Sequence, residues 1–369
     1  MPYIHQQTKW PHFSWDSPKL LPLLANVRHR QGRLIGKMSS MGFRQQAEAS
    51  LSNLTAEILK SHAIEGNFLS AQEVRSSVAR RLGLGVAGLP QASRDVEGVV
   101  EMMLDATRGF GKPLTDDRLF AWHACLFPSA RSGLRSIVVG AWRTPESGPM
   151  QVVLGPIGKE RVHFEAPEAE RLPAEMAAFL QWFSANAEDP VMRAAIAHFW
   201  FVTIHPFEDG NGRIARAIAE MALARADGVP DRFYSMSSRI EAERQDYYSV
   251  LERCQEGGLD ITVWIEWFLG CLGRTFDDAE KNIEAALKRA EFRDRLRHQE
   301  LNAREAKVLD RLVEGFSGKL TSSKYSKIAK CSADTALRDI KHLLEVGLLE
   351  KNQAGGRSTA YLLKEEIPK

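Results

Sequence analysis

His205-Pro206-Phe207-Glu208-Asp209-Gly210-Asn211-Gly212-Arg213-Ile214-Ala215-Arg216 is the stretch on which the reading of this chain turns. An apolar run over 190–204, with Ala194, Ala197, His198 and Phe201 at helical spacing, leads into it. Pro206 cannot continue that helix. Gly210 and Gly212 let backbone N–H groups turn toward an anion and approach it closely. A second helix, expected from Ile214 to about residue 226, starts where the loop ends. Its first N–H groups and dipole favour phosphate. Arg213 and Arg216 sit three apart on its first turn, where two guanidinium forks can grip phosphate oxygens. Asp209 offers a hard oxygen to Mg²⁺. His205 stands at the edge of this anion site, placed to take a proton from an attacking hydroxyl. A base, a metal carboxylate, an anion nest and paired arginines within twelve residues is the logic of phosphoryl or nucleotidyl transfer. The absence of G-x-x-x-x-G-K-[ST] excludes a P-loop.

The bulk composition leaves room for such an enzyme. The 369 residues predict two to three domains, and 44% hydrophobic with 26% charged residues is ordinary globular material. Lys plus Arg number 49 against 47 Asp plus Glu, a net charge of +2, which argues against a nucleic-acid coat over the whole surface. Cys125, Cys254, Cys271 and Cys331 are scattered and form no C-x-x-C pair, as expected of reduced thiols in a cytoplasmic protein. No signal peptide and no membrane span of ~18 apolar residues is expected.

The coarse reading is mainly α. Helices are expected from about Leu20, punctuated by Gly32 and Gly36, then over 45–62, 71–82, 93–108, 116–126, 172–185, 239–256 and 262–272. Between Ile137 and Val162 the pattern changes. Val138-Val139-Gly140 and Gln151-Val152-Val153-Leu154-Gly155-Pro156 predict a short β-hairpin. Residues 273–300 are charge-rich and predict a solvated linking helix. Residues 301–363 predict three helices and two short strands, with Gly355-Gly356-Arg357 between the strands, the order of a winged helix-turn-helix. The expected domains are 1–95 (helical), 96–285 (the core) and 296–369. Over residues 301–369 this last segment carries thirteen Lys or Arg against nine Asp or Glu. Arg338, Lys341 and Arg357 are its candidates for DNA contact; protein contact or dimerisation are equal alternatives.

The loop resembles the signature of the Fic proteins, H-P-F-x-[DE]-G-N-G-R-x-x-R, with every fixed position filled. The resemblance implies a helical core with a small β-hairpin flap, and transfer of AMP from ATP onto a Ser, Thr or Tyr hydroxyl of a target protein or of the chain itself. It implies His205 as general base, Asp209 on Mg²⁺, and Gly210, Asn211 and Gly212 around the α-phosphate. Arg213 would meet the β-phosphate and Arg216 the γ-phosphate, with Phe207 anchoring the loop. Ser61-x-x-x-Glu65-Gly66-Asn67 resembles the family's inhibitory motif, [ST]-x-x-x-E-[GN]. A Glu65 carboxylate on Arg216 would remove the γ-phosphate's partner; by itself the motif also suits a surface glutamate at a helix end.

Gly140-x-Trp142-Arg143-Thr144 with Met150-Gln151-Val152-Val153 resembles the flap that aligns a target chain by strand addition, which makes Thr144, Gln151, Val152 and Val153 docking candidates. Tyr247 and Tyr248 fall where the family often places groups near the adenine, though either also fits core. Trp264, Trp267 and His198 are expected in the core. The aromatic start, Trp10-Pro11-x-Phe13-x-Trp15, and the stretch 31–38 resemble the N-terminal extension of longer bacterial members. Beside the autoinhibited transferase stand two alternatives: the same site removing AMP, and a DNA-binding regulator with a nucleotide-sensing domain.

Overall fold

The computed structural model describes residues 2–85, 90–154, 161–185, 188–296, 299, 301–313, 319–352 and 359–364; the side chains of 153, 154, 161, 285–291, 293–295 and 313 are not described. The chain folds as two units, Met1–Glu280 and Lys281–Lys369.

The first unit is helical. Its helices are α1 (Ser17–Ser39), α2 (Phe43–Ile64), α3 (Ala71–Arg81), α4 (Arg94–Arg108), α5 (Asp116–Leu126), α6 (Leu172–Ser184), α7 (Pro190–Ile204), α8 (Asn211–Asp227), α9 (Met236–Ala242), α10 (Arg244–Gln255) and the start of α11 (Thr262–Leu296). At its centre lies α7, whose residues from Val191 to Ile204 are all buried. A helix apolar all round has no solvent face to offer. Asp189 caps it by accepting from Val191 N at 2.8 Å, and Pro190 takes the first turn, where a missing N–H costs nothing. Packed on it is α8, nearly as buried.

Several boundaries differ from the sequence reading. Gly32 and Gly36 lie inside one continuous α1. The single helix expected over 239–256 is two, parted at Glu243. Residues 262–272 and the expected linker as far as Leu296 are one 35-residue helix, α11. Val138 and Val139 are not strand. Instead β1 (Arg131–Ser132) pairs with β2 (Arg135–Ser136), and the flap proper is β3 (Gln151–Leu154) against β4 (Arg161–Glu165), both antiparallel. Val138 N is committed to Glu208 Oε2 at 3.2 Å, so its backbone serves the loop rather than a ladder.

The second unit contains α12 (Ala303–Val313), α13 (Ser322–Ala329), α14 (Ala333–Glu345), β5 (Leu349–Lys351) and β6 (Tyr361–Leu363), the last two paired antiparallel. Val308, Leu309, Tyr325, Ala336, Ile340 and Leu343 form its core. Arg338 and Lys341 are exposed on α14. Gly355, Gly356 and Arg357, like Gly155 and Pro156 beside the flap, lie outside the described residues. Among the described residues no helix is long and apolar enough to cross a membrane.

Candidate active site

The loop is built by reversing the chain between two buried helices. At the end of α7, His205 adopts φ 51° and its N–H closes on Phe201 O at 3.0 Å. A left-handed histidine ends the helix as glycine usually would. Phe207 is fully buried, its ring stacked on His123 at 4.1 Å and flanked by Trp142 at 5.0 Å. The Asn211 amide then clamps the turn. Phe207 N donates to Asn211 Oδ1 at 2.9 Å, and Asn211 Nδ2 donates to Phe207 O at 2.8 Å. Gly210 has φ 84°, and a Cβ there would come within 2.9 Å of the Phe127 ring. Helix α8 begins at Asn211, three residues earlier than the spacing predicts, because Gly210 supplies the turn itself. Gly212 therefore lies within the helix rather than in the loop.

His205 Nδ1 lies 3.1 Å from Val202 O. A carbonyl can only accept, so Nδ1 carries the proton and Nε2 keeps its lone pair. Desolvation, with the Arg143 charge nearby, holds the imidazole down at about 4 against a weaker pull from the Val202 bond. The ring is thus neutral at pH 7, as a base must be. Arg143 locks its backbone, with Nε donating to His205 O and N to Pro206 O, both at 2.9 Å.

Both oxygens of Asp209 have protein partners. Oδ1 accepts from Gly210 N at 2.5 Å and lies 3.4 Å from Arg213 Nη2, and Oδ2 accepts from the Ser132 hydroxyl. His123 Nδ1 accepts from Gly140 N at 3.3 Å, which leaves Nε2–H to donate to Asp209 O at 3.2 Å. Among the described residues no cluster of three or more His, Cys, Asp or Glu is arranged to hold a metal. One carboxylate fits Mg²⁺ only when nucleotide phosphates complete its shell. Asp209 would hold the ion, which would neutralise phosphate charge.

The arginines are buried and incompletely satisfied. Arg213 lies 4.9 Å over the Phe127 ring, and burial lowers its pKa. Arg216 is 2% exposed. Its Nε donates to Ser61 Oγ, and its Nη2 to Ser61 O and Glu65 Oε1, each at 2.8 Å. Among the described residues Arg213 Nε and Arg216 Nη1 are buried with no hydrogen-bond acceptor, donors of the kind that phosphate oxygens fit. Glu65, the C-cap of α2, reaches so far into the site that a Cβ on Gly212 would collide with its Oε1.

The loop, the flap, α10 and Glu65 enclose a cleft of about 240 Å³, below the ~300 Å³ of an ordinary ligand pocket; Arg213 and Arg216 lie behind its lining. Glu65, His205, Asp209 and Gly212 surround its polar end; Met150, Gln151, Val152 and Phe164 bring the flap to it; Tyr247, Tyr248 and Leu251 line the α10 side. Tyr247 is buried and bonds His198 Nε2 at 2.9 Å, so it belongs to core and cleft alike. Tyr248 OH sits 3.4 Å from Glu65 Oε2. Trp264 is core, as expected. Of the flap candidates, Gln151 and Val152 reach the cleft, Thr144 stands before the short turn Pro145–Ser147 and does not line the cleft, and the side chain of Val153 is not described. Sequence reasoning missed Ser132, His123 and the orienting role of Arg143. It also gave no role to His163, which faces Glu252 at 2.8 Å across the flap and α10. No local spacing marks Ser132, His123 or Arg143, because each meets the loop from a different element.

Residues 113–223, which include the whole loop, match the Fic/DOC family model. The chain carries a Fic/DOC family domain. Residues 3–84 match a domain of unknown function, DUF4172. Among curated proteins, a protein adenylyltransferase Fic of Nematostella vectensis is 36% identical over 114 residues, 30% of this chain and 25% of that one. The protein adenylyltransferase fic-1 of Caenorhabditis briggsae is 30% identical over 200 residues, 53% of this chain and 36% of that one. The match thus spans well under half the length of these relatives. A Fic family protein from Desulfovibrio desulfuricans G20 shares the fold at TM-score 0.53 and 23% identity, covering 96% of this chain and 98% of its own. Fic-1 (aa134–508) of C. elegans does so at 0.51 and 20%, covering 73% and 76%.

Proposed function

We propose that this Fic protein is a nucleotidyltransferase that moves AMP from ATP onto a hydroxyl of a target protein or of itself, and that it rests with its γ-phosphate site closed. The observation that carries the reading is the tautomer and position of His205: a neutral imidazole with a free Nε2 lining a cleft that it shares with Asp209 and the first residues of α8, Asn211 and Gly212. A hydroxyl entering from the flap loses its proton to Nε2 and attacks the α-phosphate, and pyrophosphate leaves. Gly212 and the α8 N-terminus cradle the phosphates, and Asn211 contributes by bracing the turn. Asp209 takes Mg²⁺. Tyr247 and Tyr248 flank the base. Relatives named protein adenylyltransferase support the donor assignment.

Glu65 and Ser61 occupy Arg216 in this resting state. ATP that binds beside them lacks its γ-phosphate partner and lies in a non-productive pose. The test is mass spectrometry of the chain and of a lysate after incubation of Glu65→Gly with ATP and Mg²⁺. An added AMP that disappears with His205→Ala supports the reading; unmodified protein in both refutes it. A second reading has its own support. The Glu65 carboxylate lies in the same cleft as His205 and is 30% exposed, so it can also activate a water to remove AMP. Loss of AMP release from a modified target in Glu65→Ala would establish that direction. For the C-terminal unit, exposed Arg338 and Lys341 support contact with DNA phosphates; salt-insensitive binding by the full chain to duplex DNA would contradict it.

A further inference from the structure

Beside the reactive loop stands the β1–β2 hairpin. Its register sets Ser132 opposite Arg135 and Arg131 opposite Ser136. Cross-strand partners share a face, with Cβ atoms about 5 Å apart. Arg135 therefore lies on the face of Ser132, whose hydroxyl donates to Asp209 Oδ2. Arg131 points to the opposite face. Gly133, at φ 57°, takes the first position of a two-residue turn and leaves Leu134 at the tip. Leu134 is 96% exposed, more than any other large apolar side chain among the described residues. Arg131 and Arg135 are both exposed, and neither has an ion-pair partner among the described residues.

The hairpin is also fixed in place. Ile137 N bonds Ala130 O at 3.1 Å at its base, and Val138 N bonds Glu208 Oε2 at 3.2 Å just beyond. With Ser132 on Asp209, two neighbouring loop carboxylates hold it against the site. A rigid hairpin with an apolar tip and an unpaired cation beside the reacting groups is built to be covered by something else.

We propose that the β1–β2 hairpin docks the acceptor protein, and that the segment it takes is acidic with an apolar side chain beside the acid. This rests on the transferase reading. Leu134 buries the apolar side chain, and Arg135 pairs with a carboxylate within a few residues of the hydroxyl to be modified. The flap sets the backbone register of the acceptor; the hairpin selects its charge.

Binding and turnover test it separately. The full chain with Glu65→Gly and His205→Ala, which cannot turn over, is titrated by fluorescence anisotropy. The probes are two labelled peptides of roughly fifteen residues, each with one central Ser and one Leu, flanked by Glu in one and by Lys in the other. The acidic peptide should bind about tenfold tighter at low salt. Arg135→Glu should abolish or reverse that preference, and Leu134→Asp should weaken the acidic peptide by about tenfold. Arg131→Glu makes the same change in net charge on the opposite face and should cost less than about threefold. Docking here is overturned if neither peptide binds. It is also overturned if Arg135→Glu and Leu134→Asp bind like the parent, or if Arg131→Glu costs as much as Arg135→Glu. Turnover is read on Glu65→Gly with His205 intact. Peptide that binds with this pattern yet receives no AMP refutes the transferase reading and leaves the docking surface standing.

Discussion

The reactive loop and the end of α2 meet at Arg216, yet they are held by opposite means. The loop holds its turn from within, and Arg143, Ser132 and His123 brace it from outside. His205 bonds a residue three back, Asn211 and Phe207 clamp each other four apart, and Asp209 takes its own neighbour's N–H. The end of α2 arrives from far away: Ser61 and Glu65 meet Arg216 across 155 and 151 residues. Its position depends on tertiary anchors such as Glu57, which accepts from Ser235 Oγ at 2.8 Å and Ser237 N at 2.9 Å. Local contacts backed by several separate braces make the loop geometry hard to disturb by any one distant side chain. Distant contacts would make the proposed control removable by one side chain, with the loop left intact.

Changing the loop should cost most. His205→Ala should lower AMP transfer by ~10²–10⁴-fold while nucleotide affinity stays within about threefold, read by steady-state labelling and calorimetry. Retained turnover would mean that the base lies elsewhere.

Acid should strike both regions together. His62 on α2, His123 beside the loop and His198 on α7 are fully buried, and desolvation holds them at about 3, 4 and 3. The folded state keeps them neutral, whereas the unfolded chain protonates them below about 6.5. Their contribution is therefore intact above pH 6.5 and is lost as pH falls from there toward 4, at up to ~1.4 kcal/mol per pH unit for each. The urea midpoint should drop steeply between pH 6.5 and 5; a midpoint flat over that range contradicts the neutral assignments.

Removing the distant contact should raise activity. Glu65→Gly should increase self-labelling by ~5–150-fold, the usual size of a coupling between two sites. The smallest effect is expected at Ser61→Ala. It strips one acceptor from Arg216 and leaves Glu65 paired, so activity should rise by about threefold. An effect equal to that of Glu65→Gly would show that the hydroxyl, rather than the carboxylate, holds the helix in place.

The same contrast explains what could be read from the chain. The loop and its flanking helices were legible, because their spacing, glycines and arginines act within a few residues of one another. The resemblance of 61–67 to an inhibitory motif pointed to Glu65, but its contact with Arg216 needed the fold. Asn211 is expected on phosphate from its place in the loop, but its bracing of the Phe207 backbone needed the fold. The flap was expected to begin at Val138 because Val-Val-Gly favours strand, while the actual ladder is β3 with β4 and Val138 serves Glu208. Ser132, His123 and Arg143 were invisible as site residues, since hydrogen bonds across about 60 to 90 residues leave no period in sequence.

The central claim is that Glu65 holds the γ-phosphate's partner in the resting chain. Calorimetric affinities for ATP and ADP, in the parent and in Glu65→Gly, test it without any chemistry. The parent should bind the two nucleotides within about threefold of each other, and Glu65→Gly should favour ATP by about tenfold or more as Arg216 becomes available. The same ATP-to-ADP ratio in both proteins would contradict it.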